Sequence, residues 1–227
     1  MSASILNAQN LSKVVGSAEG KLTILHDLSL DLARGDSLAI VGSSGSGKST
    51  LLGLLAAGEL ARIVAQALAE ADSLKQFSGA LASVGAAFQF QGQHHVLQRI
   101  EAVEQLERLE HEAYMGRADA RQRARELLER VGLGQRLGHY PRQLSGGEQQ
   151  RVAIARAFAA QPDVLFADEP TGNLDSATGE RISDLLFELN RERGTTLVLV
   201  THDERLAHRC RRLIRLESGR LIDRVEP

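Results

Sequence analysis

Residues 40–52 read IVGSSGSGKSTLL, with three glycines and four serines set between an apolar run and a leucine-rich one. A flexible Gly/Ser linker has no such flanks. The run before it, SLAIVG, is of strand type, and STLLGLLA after it spaces its leucines as a helix does. The glycines are therefore expected on a tight turn from strand to helix.

The spacing Gly42-Ser43-Ser44-Gly45-Ser46-Gly47-Lys48-Ser49 fits G-x-x-x-x-G-K-S/T, the phosphate-binding loop. Glycine permits backbone conformations closed to other residues, so successive N–H groups turn inward around phosphate oxygens. The positive end of the following helix points at the same place. Lys48 is expected to reach the β- and γ-phosphates and the Ser49 hydroxyl to ligate Mg²⁺. Thr50 completes the nucleotide-binding run. The implied ligand is a nucleoside triphosphate.

With 227 residues, 43% of them hydrophobic, the chain is long enough for one sizeable core and a subdomain. Its net charge of −2 sets up no basic field for nucleic acid, so no nucleic-acid partner is expected. The single cysteine, Cys210, excludes an intramolecular disulfide and suits a reducing compartment. The first residues, MSASILNAQNLSK, lack the basic start and apolar core of a signal peptide. Apolar runs such as TTLVLVT are too short to cross a bilayer. Any membrane role is expected to be peripheral, on the cytoplasmic side.

The N-terminal part, residues 5–42, reads as short strands with turns at GSAEGK and ARGD. Residues 59–77, 96–109 and 118–133 read as helices, with a Gly- and Gln-rich stretch at 78–95. After Pro141 helix and strand alternate: EQQRVAIARAFAA helix, DVLFAD strand, ATGERISDLLFELNRER helix, TTLVLVTH strand. RLIRLESGRLIDRV reads as a last strand pair turning at Ser218-Gly219. Strands alternating with helices imply an α/β fold with parallel strands, interrupted by a helical insertion.

Four apolar residues at 164–167 precede Asp168-Glu169. A carboxylate ending a strand beside a phosphate loop holds Mg²⁺, directly or through water, and Asp168 suits that role. Glu169 is placed to polarise the attacking water. Further upstream, LSGGEQQRVAIARA offers a second anion site at a helix start: the Ser145 hydroxyl with the Gly146 and Gly147 N–H groups, followed by Glu148.

At LSGGE the chain resembles the ATP-binding subunits of ABC transporters, whose signature is LSGGQ followed by a helix. The resemblance is closest at 22–54 and 117–220, and within the family it looks like the lipoprotein-release, macrolide-export and YbbA-like group, most of all YbbA-like subunits. FADEPTGNLD, ISDLLFELNRERGTTLVLVTHD and RLAHRC carry that narrower likeness. It implies a P-loop NTPase of ABC type, a mixed-sheet core with an N-terminal antiparallel β layer and an inserted helical subdomain. A single ATPase domain is expected over 1–227: core at 1–55 and 141–227, helical subdomain near 90–140, atypical segment at 56–116.

The same resemblance implies roles residue by residue. The signature faces the γ-phosphate bound by the other subunit of a head-to-tail homodimer, and Asp175 in the D-loop speaks to that subunit. His202 in LVTHD matches the switch histidine that hydrogen-bonds the γ-phosphate. Gln89 in SVGAAFQFQ matches the glutamine that binds Mg²⁺ and senses the membrane subunit, with Gln91 and Gln93 as close alternatives. Relatives stack adenine on an aromatic residue after LSK, where this chain has Val14 and Val15. Val15 is the expected adenine contact, with stacking worth roughly 0.5–1.5 kcal/mol lost.

The implied function is ATP binding and hydrolysis, with Mg²⁺, in a membrane transport complex with a separate integral-membrane permease. A non-transport ABC protein acting on DNA or ribosomes would carry long coiled-coil insertions or two fused ATPase domains, and this chain has neither. A non-catalytic nucleotide switch is the other alternative; Glu169 and His202 argue against it.

Overall fold

The computed structural model describes residues 4–17, 20–58, 88–89, 117–159, 162–172 and 174–225. In chain order the elements are β1 (Ser4–Ser17), β2 (Gly20–Ala33), β3 (Ser37–Gly42), helix α1 (48–58) and the two-residue strand β4 (Phe88–Gln89). Next come α2 (Arg117–Arg130), α3 (Gly146–Ala159), β5 (Val164–Asp168), α4 (Ser176–Arg193) and β6 (Thr196–Val200). The short helix α5 (Glu204–Ala207), β7 (Arg212–Glu217) and β8 (Arg220–Val225) complete the chain. Two compact units emerge, one within Met1–Glu59, Asp163–Glu169 and Gly194–Pro227, the other within Leu60–Pro162 and Pro170–Arg193.

In the first unit β1 and β2 form an antiparallel hairpin. Two strands of 14 residues replace the several short ones expected from the sequence. The reason is that the chain absorbs the irregularities in their register without ending the strands. Asn10 and Asp27 adopt φ of 52° and 49°, and their N–H groups donate to Ser29 Oγ and Ser12 Oγ, each at 3.0 Å. The kink at Asp27 resets the period, so that Leu25 and then Leu28, Leu30 and Leu32 are all buried.

The main sheet of this unit runs β5, β6, β3, β7, with β8 antiparallel on β7. β5, β6, β3 and β7 are mutually parallel, and β5 and β6 are buried at every residue. Such strands read as continuous apolar runs because both faces are covered. Phe166 in β5 is 1% exposed, and its truncation to Ala would cost about 3–5 kcal/mol. Parallel strands share one C-terminal edge, so Gly42, Asp168 and Val200 end side by side, the usual place for a ligand.

In the second unit α3 packs against both α2 and α4, and Leu127, Leu128, Ile154, Phe158, Ile182 and Leu186 on these helices are buried. The helix read at 118–133 ends earlier, at Arg130. Gly132 takes φ +74°, Gly132 N–H donates to Glu129 O (2.9 Å), and Leu133 N–H donates to Leu128 O (2.7 Å). This is a Schellman stop, sealed by burial of Leu128 and Leu133. The helices read at 59–77 and 96–109, with Gln91 and Gln93, lie outside the described residues.

Candidate functional site

The phosphate-loop sequence leaves β3 at Gly42 and enters α1 at Lys48. A Cβ at Gly42 (φ +150°) would lie 2.2 Å from Leu216 O, and one at Gly47 (φ +100°) 2.8 Å from Leu25 Cδ2. The loop is therefore cupped between the end of β7 and β2, with no room for a side chain at either glycine. Lys48 Nζ donates to Gly42 O and Ser43 O, both at 2.8 Å, which folds the ammonium back over the loop. Among the described residues the buried Ser46 hydroxyl has no hydrogen-bond partner. The Lys48 ammonium and the N-terminus of α1 meet at this loop, an arrangement that suits the phosphates of a nucleotide.

Beside the loop, Asp168 ends β5 at 9% exposure. Burial pushes its carboxyl above the usual range, opposed by a hydrogen bond with the Ser49 side chain; nearby Glu169 raises it further and Lys48 lowers it. Ser49 and Asp168 are thus adjacent hard-oxygen donors. Among the described residues no three His, Cys, Asp or Glu side chains form a metal cage. Two donors suffice for Mg²⁺, which takes one or two protein oxygens and fills its octahedron with phosphates and water. The donor set fits that ion.

Glu169 adopts φ +47°, a left-handed conformation costing a non-glycine residue about 1–3 kcal/mol. Its N–H donates to Val200 O at 2.9 Å, which locks the turn to the end of β6. The carboxylate Oε2 then lies 2.9 Å from His202 Nδ1 and 3.4 Å from Thr201 Oγ1. Thr201 is fully buried, and its hydroxyl also accepts from Asp203 N–H (3.1 Å). Thus Glu169 is held from two sides, while the His202 side chain remains 70% exposed. A fixed carboxylate beside an exposed imidazole is able to orient water and meet a developing charge.

In the second unit LSGGE starts α3 two residues before the predicted helix, with Gly146 and Gly147 inside its first turn. Ser145 and Glu148 form a capping box: Ser145 N–H donates to Glu148 Oε2 (2.8 Å), and Glu148 N–H to Ser145 Oγ (3.3 Å). The Ser145 N–H holds the Glu148 carboxyl below its ordinary range, helped by Arg136. A Cβ at Gly147 would fall 2.7 Å from Thr178 Cγ2. Asp175 caps α4 through Thr178 N–H (3.0 Å), and its bonds with Thr178 lower its carboxyl.

Val15 sits in β1 opposite Leu22, and Val14 opposite Thr23. Val14 and Leu22 are 50% and 57% exposed. Gln89 lies in β4. Three participants escaped the sequence reading. Thr201 is hidden as the middle residue of VTH. Arg136 carries no local signature. Gly219, whose N–H donates to Ser46 O (3.0 Å) and whose O accepts from His26 N–H (2.9 Å), looked like an ordinary hairpin turn.

The fold and this site define a P-loop nucleoside triphosphatase of the α/β class. The profile of the ABC transporter family matches residues 25–172, and the chain belongs to that family. It is 50% identical over 223 residues to the uncharacterised ABC transporter ATP-binding protein YbbA of Escherichia coli, covering 96% of both chains. It is 43% identical over 225 residues to the lipoprotein-releasing system ATP-binding protein LolD of Geobacter metallireducens, covering 97% of this chain and 99% of that one. The dimeric ABC transporter cassette MJ0796 superimposes with a TM-score of 0.78 at 34% identity, over 97% and 98% of the two chains. The same cassette in a post-hydrolysis state bound to ADP and Pi also gives 0.78, at 33% identity, with the same coverage. The chain is an ABC transporter ATP-binding subunit and an ATPase.

Proposed function

We propose that two copies of this chain close head to tail on ATP and Mg²⁺, and that closing and reopening drive a separate integral-membrane permease. The observation that carries the reading is the joint placement of Lys48, Ser49, Asp168, Glu169 and His202 around one sheet edge. Residues 42–50 hold the phosphates, and Lys48 swings from its own loop carbonyls to the β- and γ-phosphates. Ser49 and Asp168 would hold Mg²⁺, which would neutralise phosphate charge. Glu169 takes a proton from the attacking water, and His202 donates to the γ-phosphate.

Ser145, Gly146, Gly147 and Glu148 present the start of α3 to the nucleotide of the second copy, and Asp175 faces that copy. Val15 meets the adenine. Gln89 would be a further oxygen donor for Mg²⁺ and would relay the state of the site to the permease, and no nucleic acid takes part. Among the described residues no helix is long and apolar enough to cross a membrane, which suits a peripheral subunit on the inner face of the cell membrane. One ATPase domain over 1–227 is taken to carry all of this.

Sizing chromatography of Glu169→Gln with ATP tests the dimer, and ATPase assays with Mg²⁺ or EDTA test the ion. Copurification from native membranes tests the permease. A Glu169→Gln chain that stays monomeric with saturating ATP would overturn the dimer reading.

A further inference from the structure

The signature turn of this chain carries a charge of its own. Glu148 stands at the third position of α3, with its carboxylate folded back onto Ser145 N–H by the capping box. The box uses the Ser145 and Glu148 N–H groups, so the first-turn donors left for an anion are those of Gly146 and Gly147. An ionised carboxylate therefore lies within one helical turn of the donors meant for a phosphate. Its suppressed pKa keeps it ionised at neutral pH. Like charges at such range repel, and the repulsion works against the helix dipole.

One cation answers it. Arg136 ends a 3-10 turn (Gly134–Arg136) placed by the glycine stop after α2. Its Nε lies 3.0 Å from Glu148 Oε1, on the oxygen that the capping box does not use. Backbone bonds fix the approach: Arg136 N–H donates to Leu133 O (2.8 Å), and His139 N–H to Arg136 O (2.9 Å). The His139 ring also stands 3.4 Å from Arg136 Nη1. The Glu148 side chain is only 17% exposed, whereas that of Arg136 is 48% exposed. The pair thus has one fixed partner and one that reaches solvent.

We propose that Arg136 is a positioning residue of the signature turn, neutralising Glu148 so that the nucleotide phosphate of a second copy can approach Gly146 and Gly147. This rests on the dimer reading above. A glutamine at 148 would keep the capping acceptor while removing the charge. Arg136 therefore matters because residue 148 is Glu.

The test is a double-mutant cycle in the full chain carrying Glu169→Gln, scored as the ATP concentration for half-dimerisation by light scattering. Arg136→Ala should raise that concentration about tenfold, or ~1.4 kcal/mol. Arg136→Lys should recover most of the loss, because the charge returns. In the Glu148→Gln background, Arg136→Ala should cost less than about twofold. Melting temperatures without nucleotide separate a folding defect from a charge effect. An equal cost of Arg136→Ala in both backgrounds, or no cost in either, overturns the role of Arg136 alone. A parent that never dimerises with ATP overturns the dimer reading, and this role with it.

Discussion

His202 Nδ1 stands 2.9 Å from Glu169 Oε2, although the two residues follow different strands of the sheet. The contact exists because β5 and β6 are parallel neighbours and Glu169 turns left-handed at the strand end. Replacing Glu169 with Gln should abolish turnover while ATP still binds. His202→Ala should lower kcat about 10²–10³-fold with a smaller change in ATP affinity. Single-turnover kinetics beside equilibrium binding separate the two effects. A His202→Ala enzyme with unchanged kcat would remove the imidazole from the chemistry.

Gly219 is expected to be as intolerant as the loop glycines. A Cβ there would lie 2.0 Å from Ile24 O, and its φ of +74° disfavours other residues. Gly219→Ala should destabilise the fold by at least about 1–3 kcal/mol and weaken ATP binding, because the turn holds Ser46 O. Gly16→Ala, with open space around it, is the control and should stay within about 0.5 kcal/mol. Chemical denaturation and nucleotide titration of both variants check the contrast.

Val14 and Leu22, beside the proposed adenine contact Val15, leave exposed aliphatic surface on which an aromatic ring could stack the base. Val15→Tyr should tighten ATP binding by up to roughly tenfold through stacking. Fluorescent-nucleotide titration measures it. If neither Val15→Tyr nor Val14→Tyr gains affinity, the base is held elsewhere.

Cys210 should be chemically silent in the native protein. Burial pushes its thiol up to about 12, partly offset by the Ser37 hydroxyl and Arg209. At pH 8 almost none of it is then thiolate, the reactive form. A thiol reagent should therefore label it only on unfolding. The raised value leaves stability intact below the ordinary thiol value of 9.0, with loss as pH rises through about 12. Rapid labelling under native conditions would contradict the burial.

The local elements of this protein were written in its sequence. SLAIVG is β3 to the residue, the apolar run before Asp168-Glu169 is β5, and the turn at Ser218-Gly219 joins β7 to β8. Each depends on a short pattern: an apolar run, a helical period, or a glycine where the backbone must turn. The anion-binding character of residues 42–49 belongs to the same class, because adjacent residues supply the donors. Where the pattern was ambiguous the reading slipped. The apolar VGL after Arg130 continues a helical period, and it is the left-handed turn at Gly132, closed by the Leu133 N–H on Leu128 O with both leucines buried, that makes it a stop. What no local pattern contained was the meeting of distant parts. Glu169 with Thr201 and His202, Asp168 with Ser49, and Gly219 with Ser46 and His26 are brought together by the strand order β5-β6-β3-β7. That order is set by which buried faces pack best over the whole sheet, a sum over the chain that no short window carries.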